Sequence, residues 1–423
     1  MSAPRVVVSG LGFVTSIGND AVTVAAALRE LRSGIEPYEF LPGVELPVKV
    51  AGTLKGFETT ALQWAGWSWP AGYHFNRDVL RGLPPHGLYA MCAVEQLIAD
   101  ARLTDAELRS DETGLFCASA GSPRLQRAMI NQMYESRGSR IPPMGVISTI
   151  AGTLNFNLAA HLGVRGAVGG FVSACASTSQ AIGYAFDEIA LGRQRRMLVV
   201  GGEDLSFESI MPFHGMRALS RNPDPATASR PFDRGRDGFV GTGGAAAILI
   251  EDAGAAAARG APVYAELLGW GQAADGLNVA NSDPEGAGLA NAMRRALRAA
   301  GVAPADVDYV NAHATSTPVG DASEIRALHA VFTRAGARPA VSSTKALTGH
   351  GLSFCGVMET GFCALGLAQG FVPGTAHLAE PDPECEGLDL PRETRLVAPR
   401  IVLKNTSGFG GSNVSLVLRR WEN

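Results

Sequence analysis

The chain has 423 residues, of which 46% are hydrophobic and 18% charged, and its formal net charge at pH 7 is −4. This length exceeds that of a single-core domain, so we expect two units. The slight acidity gives no general affinity for nucleic acid, and no apolar run approaches the roughly 18 residues that a membrane span needs. The opening residues, MSAPR, lack a signal-peptide layout, so we expect a cytoplasmic protein with reduced thiols.

Apolar runs and helical patterns alternate along the chain, which predicts an α/β protein. We expect strands at residues 5–9, 197–200, 245–250, 309–312 and 414–418. We expect helices at residues 21–31, 88–101, 181–191, 289–300 and 321–332. A divide is expected at residues 252–260, DAGAAAARG, because a new apolar run follows them. The predicted halves are residues 1–252 and 253–423.

The most informative segment is residues 169–179, GGFVSACASTS, which contains Cys175. An apolar, β-rich run leads into small residues, and a helix-compatible segment follows the cysteine. A cysteine between a strand and a helix start lies near N–H groups and a dipole that favour the thiolate. The thiolate is the nucleophilic form, so the segment indicates covalent catalysis. The alternative is a small buried cysteine that packs like alanine.

Two later segments each place a histidine among small and polar residues after a strand-like run. They are residues 311–321, NAHATSTPVGD, with His313, and residues 342–350, SSTKALTGH, with His350. With Cys175 they resemble the Cys-His-His active site of the β-ketoacyl-acyl carrier protein synthases, most closely type I. The resemblance covers essentially the whole chain and includes residues 6–15 (VVVSGLGFVT), 121–124 (GSPR), 229–240 (SRPFDRGRDGFV) and 408–413 (GFGGSN).

The resemblance implies a thiolase-like five-layer αβαβα fold of two similar halves, with Cys175 in the first and both histidines in the second. It implies a decarboxylative Claisen condensation that lengthens a fatty-acid, polyketide or polyene chain by two carbons. Cys175 would carry the acyl group, while neutral His313 and His350 would donate N–H groups to the malonyl thioester oxygen. Backbone N–H groups of Cys175 and Phe409 would stabilise the other oxyanion.

Lys345 and Glu359 match charged residues of the family. The resemblance implies that Lys345 acts electrostatically, holding His350 and the Glu359 carboxylate in place. The alternative is an ordinary buried ion pair, which is structural and still indispensable. Asp321 and Glu324 are expected to support the loop after His313 and the following helix start.

Other matching residues are expected to bind substrate. Thr315 and Thr317 resemble hydroxyls that bind a phosphopantetheine arm, the alternative being capping of a strand end. Phe409, on a glycine-rich loop, resembles the aromatic residue that gates the acyl pocket. The alternative for Phe409, a core phenylalanine in a turn, is weakened by the glycines that flank it.

The chain departs from the family pattern at three places near the expected site. Ser407 stands where a second phenylalanine is usual, Ala314 replaces a glycine, and residues 353–356, SFCG, replace a Gly-Ala-Ala-Gly-like run. None of these changes removes a catalytic group. They affect substrate identity, so we predict a specialised synthase for polyketide or polyene chains, with Ser407 reshaping the acyl pocket.

Two segments of the first half are unusual. Trp64, Trp67 and Trp69 cluster before a proline, and residues 83–86, LPPH, interrupt a stretch that is more regularly helical in the family. We expect a surface loop with packed aromatic side chains; the alternative is a flap that binds a partner.

The resemblance also implies the partners. The substrates would be carried on the phosphopantetheine of an acidic acyl carrier protein, with Arg81, Arg137 and Arg140 in regions that resemble the docking surface, although Asp78 stands where a basic residue is expected. A homodimer or a heterodimer with a related subunit is expected. No other cofactor and no metal is implied.

Three competing interpretations remain. A dinucleotide-binding turn at residues 10–15 lacks its third glycine, since Thr15 occupies that position. A biosynthetic thiolase would pair the nucleophile with a second cysteine where this chain has His350. A chain-length partner subunit without elongating activity would lack Cys175. The six cysteines include no Cys-x-x-Cys pair, so a zinc or thioredoxin-like site is not supported.

Overall fold

In the computed structural model, which describes residues 4–422, strands and helices alternate as the sequence predicts. The strands are β1 Val6–Val14, β2 Ile35–Pro37, β3 Val50–Gly52, β4 Thr113–Ala118, β5 Val168–Gly170, β6 Arg196–Glu203, β7 Gly244–Asp252, β8 Ala265–Ala274, β9 Tyr309–Asn311, β10 Ala340–Ser342, β11 Ile401–Gly408 and β12 Ser412–Arg420. The helices are α1 Ala21–Glu30, α2 Arg77–Leu80, α3 Pro85–Asp100, α4 Asp105–Leu108, α5 Pro123–Glu135, α6 Gly145–Thr149, α7 Thr153–Leu162, α8 Ser177–Ala190, α9 Phe207–Ile210, α10 Pro212–Gly215, α11 Ala253–Ala258, α12 Ala287–Ala300, α13 Pro318–Val331, α14 Lys345–Thr348 and α15 Cys355–Gln369. Short 3₁₀-helices include Leu352–Phe354 and Phe409–Gly411.

Each of the ten predicted elements is present with the predicted type, and the ends differ by a few residues. The largest difference is in β1, which continues to Val14 rather than ending at residue 9. All nine residues of β1 are buried, because helices pack against the strand and it is paired along β7 and, at Val6–Val8, with β8. Glycines at positions 10 and 12 weakened the strand pattern, yet Gly12 is needed: a Cβ there would lie 1.8 Å from the carbonyl oxygen of Ala93 in α3.

The main sheet repeats one topology in its two halves. Its strand order is β10-β9-β11-β12-β8-β1-β7-β6-β4-β5. Starting from the centre, β1-β7-β6-β4-β5 pair antiparallel, antiparallel, parallel and parallel. On the other side, β8-β12-β11-β9-β10 pair in the same directions and in the same order along the chain. The two halves of the fold are therefore alike, although no repeat is evident in the sequence.

Helices cover the sheet in layers. In the middle, α8 and α15 pack against each other, and each contacts strands of both halves. On the outer side of the first half, α3 packs on β1, β7 and β6, while α12 covers β8, β12 and β11 of the second. Separate hydrophobic clusters fill the central layer and the two outer layers. This is the five-layer αβαβα arrangement that the resemblance implies.

Two expectations about unusual segments are resolved by the fold. The segment LPPH follows α2, which ends at Leu80; Pro84 caps the next helix, α3, and Pro85 begins it, since proline suits a first helical turn. Trp67 is 7% exposed, and the neighbouring tryptophans pack on the same cluster as α3. Arg124 also donates to the carbonyl oxygens of Thr59 and Thr60 at 2.7 and 2.8 Å. These contacts favour a packed surface loop over a flap.

One apolar stretch was missed in the sequence. Residues Leu352–Gln369 are apolar and long enough to cross a membrane by length and composition, but 89% of this stretch is buried inside the protein. It contains α15, the central helix of the second half, for which an apolar surface on all sides is expected. The opening residues 1–3 lie outside the described part of the chain.

Candidate active site

Cys175 lies in a tight turn between the edge strand β5 and the central helix α8, as predicted. The preceding residue, Ala174, has φ of +48°, a conformation that side chains seldom adopt. Ser177 holds this turn, since its Oγ accepts from the N–H of Ser173 at 2.8 Å and donates to the carbonyl of Ala174 at 2.6 Å. The turn therefore presents Cys175 at the start of α8.

Both predicted histidines lie beside this cysteine. His350 Nε2 is 3.0 Å from Cys175 Sγ, and the His313 and His350 rings are 5.3 Å apart in an edge-to-face arrangement. Sγ and one nitrogen of each ring all lie within 4.8 Å of one another, close enough to hold a metal ion as well as to share a substrate atom. The fold thus brings together three residues that are far apart in sequence.

Burial makes this group uncharged. It lowers the pKa of both His313 and His350 well below the usual range, and the nearby Lys345 charge lowers them further. The expectation of a low-pKa cysteine is wrong for the free enzyme: burial raises the pKa of Cys175, and Lys345 offsets this only in part. The physical reason is that the thiol is enclosed, so desolvation outweighs the charge of Lys345 and the helix start.

Lys345 and Glu359 form a buried ion pair behind the histidines, at 1% and 0% side-chain exposure. Lys404 of β11 is a second partner, with Nζ 3.2 Å from Glu359 Oε2. Burial alone would lower the pKa of Lys345, but the Glu359 carboxylate raises it, so the lysine stays charged. The cluster places positive charge near both histidines, which adds to the effect of burial in keeping them neutral.

Glu324 and Asp321 hold the loop that carries His313, as predicted. Glu324 accepts from the backbone N–H groups of His313 and Ala314 at 3.0 and 2.7 Å. Asp321 accepts from the N–H groups of Ser316 and Phe232 at 3.1 and 2.9 Å. Glu324 also lines the cavity, and both carboxylates fix the backbone that positions His313.

A cavity of about 270 Å³ leads to Cys175. Seven of the nine predicted site residues line it: Cys175, His313, His350, Thr315, Thr317, Ser407 and Phe409. The Thr315 and Thr317 hydroxyls are 3.0 Å apart. The other two predicted residues, Lys345 and Glu359, lie buried behind the wall of the cavity.

Phe409 lies at the rim of this cavity and is 37% exposed, so it is not a core residue. Its ring is 5.8 Å from that of Phe213. Gly408 approaches the nucleophile turn: a Cβ there would lie 2.8 Å from the Ser173 carbonyl oxygen and 3.1 Å from the Cys175 nitrogen. Gly410 has φ of +78°, which favours glycine.

The three departures from the family pattern lie in different environments. Ser407 and Ala314 line the cavity, and Ser407 Oγ donates to Asn413 at 2.7 Å. Phe354 is fully buried away from the cavity, where its ring packs against Gly244 and Gly351. The first two changes therefore bear on substrate, while Phe354 fills space in the core.

Sequence reasoning missed several residues of the site. Phe213, Phe239 and Arg217 line the cavity without having been selected, and the Phe239 ring is 5.3 Å from that of His350. Lys404 was also missed, although a lysine within an apolar strand is a usable signal for a buried partner.

Comparison with known proteins identifies the family. Residues 3–256 match the "Beta-ketoacyl synthase, N-terminal domain", and residues 264–379 match the "Beta-ketoacyl synthase, C-terminal domain". The chain belongs to the β-ketoacyl synthase family. It is an acyltransferase of the chain-elongating type, and neither a thiolase nor an inactive partner subunit is favoured. The predicted boundary between residues 252 and 253 stays a prediction.

Similar proteins cover the whole length. The chain is 37% identical over 421 residues to "3-oxoacyl-[acyl-carrier-protein] synthase 1" of Escherichia coli K12, covering 98% of this chain and 99% of that one. A solved β-ketoacyl synthase from Burkholderia phymatum STM815 has a TM-score of 0.89 at 32% identity, over 99% and 100% of the two chains. "The ishigamide ketosynthase/chain length factor" has a TM-score of 0.88 at 27% identity and full coverage of both chains. The fold is thus thiolase-like, as expected.

Proposed function

We propose that this synthase condenses an acyl group on Cys175 with a malonyl thioester carried on an acyl carrier protein. The product is a β-ketoacyl thioester two carbons longer. The observation that supports this most is the 3.0 Å approach of His350 Nε2 to Cys175 Sγ, with His313 in the same cavity. The chemistry uses the phosphopantetheine of the carrier protein and no other cofactor.

In the first half-reaction, Cys175 Sγ attacks the acyl thioester. The carbon–sulfur bond to pantetheine breaks, and the thiol proton passes to the departing pantetheine sulfur. His350 Nε2 lies beside the thiol during this transfer. Because Cys175 is neutral before substrate arrives, the thiolate forms only during the attack, with backbone N–H groups of Cys175 and Phe409 receiving the oxyanion.

In the second half-reaction, the malonyl carboxylate leaves as carbon dioxide and its electron pair forms an enolate. Neutral His313 and His350 donate N–H groups to the enolate oxygen. The enolate carbon then attacks the acyl thioester, the Cys175 thiolate leaves, and a proton from solvent restores the thiol. Removing one such donor typically slows a reaction about 100- to 1000-fold.

The cavity rim suits a phosphopantetheine arm. Thr315 and Thr317 present hydroxyls along the wall, as the resemblance implies. Arg217 lies at the same rim with φ of +55° and supplies a positive charge for the phosphate of the arm. We place the acidic carrier protein against Arg81, Arg137 and Arg140, all of which are exposed. Charge reversal at Arg137 and Arg140 is expected to raise the KM for carrier protein, and an unchanged KM would contradict this docking surface.

A second, related subunit is proposed to cover the β5 edge of the sheet. α5 is amphipathic but has no buried residue, and α5, α6, α7 and β5 contact one another in series. Exposed apolar side chains on and beside these elements include Ile130, Met133, Tyr134, Val146, Phe156, Val168 and Val172. Such a continuous patch is typical of a subunit interface. The subunit is either a second copy of this chain or a related chain, which the mass of the purified complex distinguishes. We expect the assembly in the cytoplasm.

The experiment is intact-protein mass spectrometry after incubation with acyl carrier protein thioesters of different chains. Wild type should gain an acyl adduct, Cys175→Ala should not, and His313→Ala should keep the adduct but lose malonyl decarboxylation. A preference for ordinary saturated chains would contradict a specialised polyketide or polyene role. No adduct from any donor, alone or with a partner subunit, would contradict the proposed function.

A further inference from the structure

A buried carboxyl group lies behind the nucleophile and has no part in the mechanism above. Glu203 ends β6 and is 1% exposed. Its Oε1 accepts from the backbone N–H of Ala120 at 3.0 Å and from the hydroxyl of Ser353. Ser353, which donates this hydrogen bond, is the first residue of the run 353–356 that departs from the family pattern.

Ser353 connects Glu203 to the nucleophile. Its carbonyl oxygen accepts from the Thr178 hydroxyl of α8 at 2.7 Å, and Thr178 lies three residues after Cys175. Cys355, two residues beyond Ser353, donates from Sγ to the carbonyl oxygen of Cys175 at 3.4 Å. The segment that binds Glu203 is therefore fixed directly to the backbone of the nucleophile.

The charge of Glu203 bears on the thiol. Burial raises the pKa of Glu203 to about 7, and the hydrogen bonds from Ser353 and Ala120 limit this rise. An ionised Glu203 raises the pKa of Cys175 further. The charge of Glu203 behind the nucleophile therefore changes with pH in the neutral range.

The other titratable and charged groups around Glu203 and Cys175 leave this effect in place. Asp204 raises the pKa of Glu203 slightly, and its own carboxylate faces Arg124 at 3.8 Å. His86 of α3 is neutral, because burial lowers its pKa to about 3. On the α15 side stand Cys355, whose pKa burial raises to about 11, and the ion cluster of Lys345, Glu359 and Lys404.

We propose that Glu203 is a positioning residue that controls the ionisation of Cys175: its neutral carboxyl anchors the Ser353 segment and permits the thiolate, whereas its carboxylate opposes the thiolate. The inference rests on the proposed role of Cys175 as nucleophile. Ionisation of Glu203 should therefore slow acyl transfer to Cys175 above neutral pH, an effect that the Cys-His-His group alone does not produce.

The test is the rate of Cys175 alkylation by iodoacetamide between pH 6 and 9.5, with the labelled residue identified by peptide mass spectrometry. Glu203→Gln keeps the side-chain shape and removes the charge. At pH 8.5 this variant should alkylate about three- to tenfold faster than wild type, because it lacks the negative charge that raises the pKa of Cys175. Below pH 6 the two rates should converge, because Glu203 is then neutral in wild type.

Two further variants keep the result interpretable. Asp204→Asn removes the neighbouring buried carboxylate; because Asp204 raises the pKa of Glu203, the inflection should move to lower pH, while the rate at pH 8.5, where Glu203 is ionised in both proteins, should stay near that of wild type. Ser353→Ala removes a hydrogen bond that lowers the pKa of Glu203, so the wild-type inflection should move to higher pH; this variant decides the question if Glu203→Gln does not fold.

Identical profiles for Glu203→Gln and wild type would overturn the proposal. So would an equal acceleration in Asp204→Asn, or an unmoved inflection in Ser353→Ala. Alkylation needs neither malonyl thioester nor carrier protein. A failure of the condensation assay would therefore contradict the proposed function and leave this result readable.

Discussion

Replacing Glu324 by glutamine tests how the His313 loop is held. Three N–H donors point at the carboxylate: the backbone groups of His313 and Ala314 at 3.0 and 2.7 Å, and the Asn405 side-chain amide at 3.0 Å. Each oxygen accepts at least one of them. A glutamine has one oxygen only, so its NH₂ group must face an N–H donor and leave that donor unpaired in the interior.

The size of the effect follows from this arrangement. One unpaired buried N–H costs about 1–3 kcal/mol, and the remaining hydrogen bonds lose their charge-assisted part. We therefore expect Glu324→Gln to lower the free energy of unfolding by about 2–4 kcal/mol. Displacement of His313 should also slow malonyl decarboxylation by roughly tenfold, the equivalent of about 1.4 kcal/mol in the barrier.

The assay is urea unfolding followed by fluorescence, with decarboxylation of malonyl carrier protein measured in parallel. Glu380→Gln is a matched control, since Glu380 makes an ion pair with Arg234 in which both side chains are more than 60% exposed. Its expected change in unfolding free energy is under about 0.5 kcal/mol. Equal unfolding curves for the two variants would refute the reasoning.

Three other changes have defined outcomes. Burial lowers the pKa of folded His86 to about 3, whereas its value in the unfolded chain is 6.5, so unfolding takes up a proton below pH 6.5. Between pH 7 and pH 5, His86→Asn should therefore lose about 2 kcal/mol less stability than wild type, as measured by urea unfolding at both pH values. Gly408→Ala should slow acyl-adduct formation on Cys175 at least about tenfold, because its Cβ meets the backbone of the nucleophile turn, whereas Gly72→Ala, which meets nothing within 4 Å, should not. Lys404→Met should destabilise the protein by about 3 kcal/mol, because the buried Glu359 carboxylate loses one of its two lysine partners. An unchanged thermal midpoint would show that Lys345 alone is enough to stabilise that carboxylate.

Local patterns together with the family resemblance pointed to Cys175, His313 and His350 as the residues of the site. Cys175, His313 and His350 stand among small and polar residues that follow apolar runs, but the strands before them lie in different halves of the fold, so their meeting point could not be read from the runs alone. The halves of the fold follow from the same alternation. Their likeness could not be seen in the sequence, because the two halves of the main sheet share strand order and direction but have different side chains.

Other properties depend on packing between distant segments. The pKa of Cys175 is raised because tertiary structure encloses the thiol, which the helix start in the sequence does not reveal. Lys404 belongs to the ion cluster only through the pairing of β11 with β9 and β12. Pro84 and Pro85 indicated an interruption of a helical stretch, and in the structure these two prolines also mark the start of the buried helix α3.

The central position of β1 has a consequence for synthesis on the ribosome. This strand ends at Val14, yet its partners β7 and β8 begin only at Gly244 and Ala265. At about 5–20 residues per second, nine residues destined for complete burial wait roughly 12–50 s for their first neighbour in the sheet. During that interval β1 is an apolar, unpaired strand on the nascent chain, and we expect chaperones to bind the ribosome-bound chain at this strand.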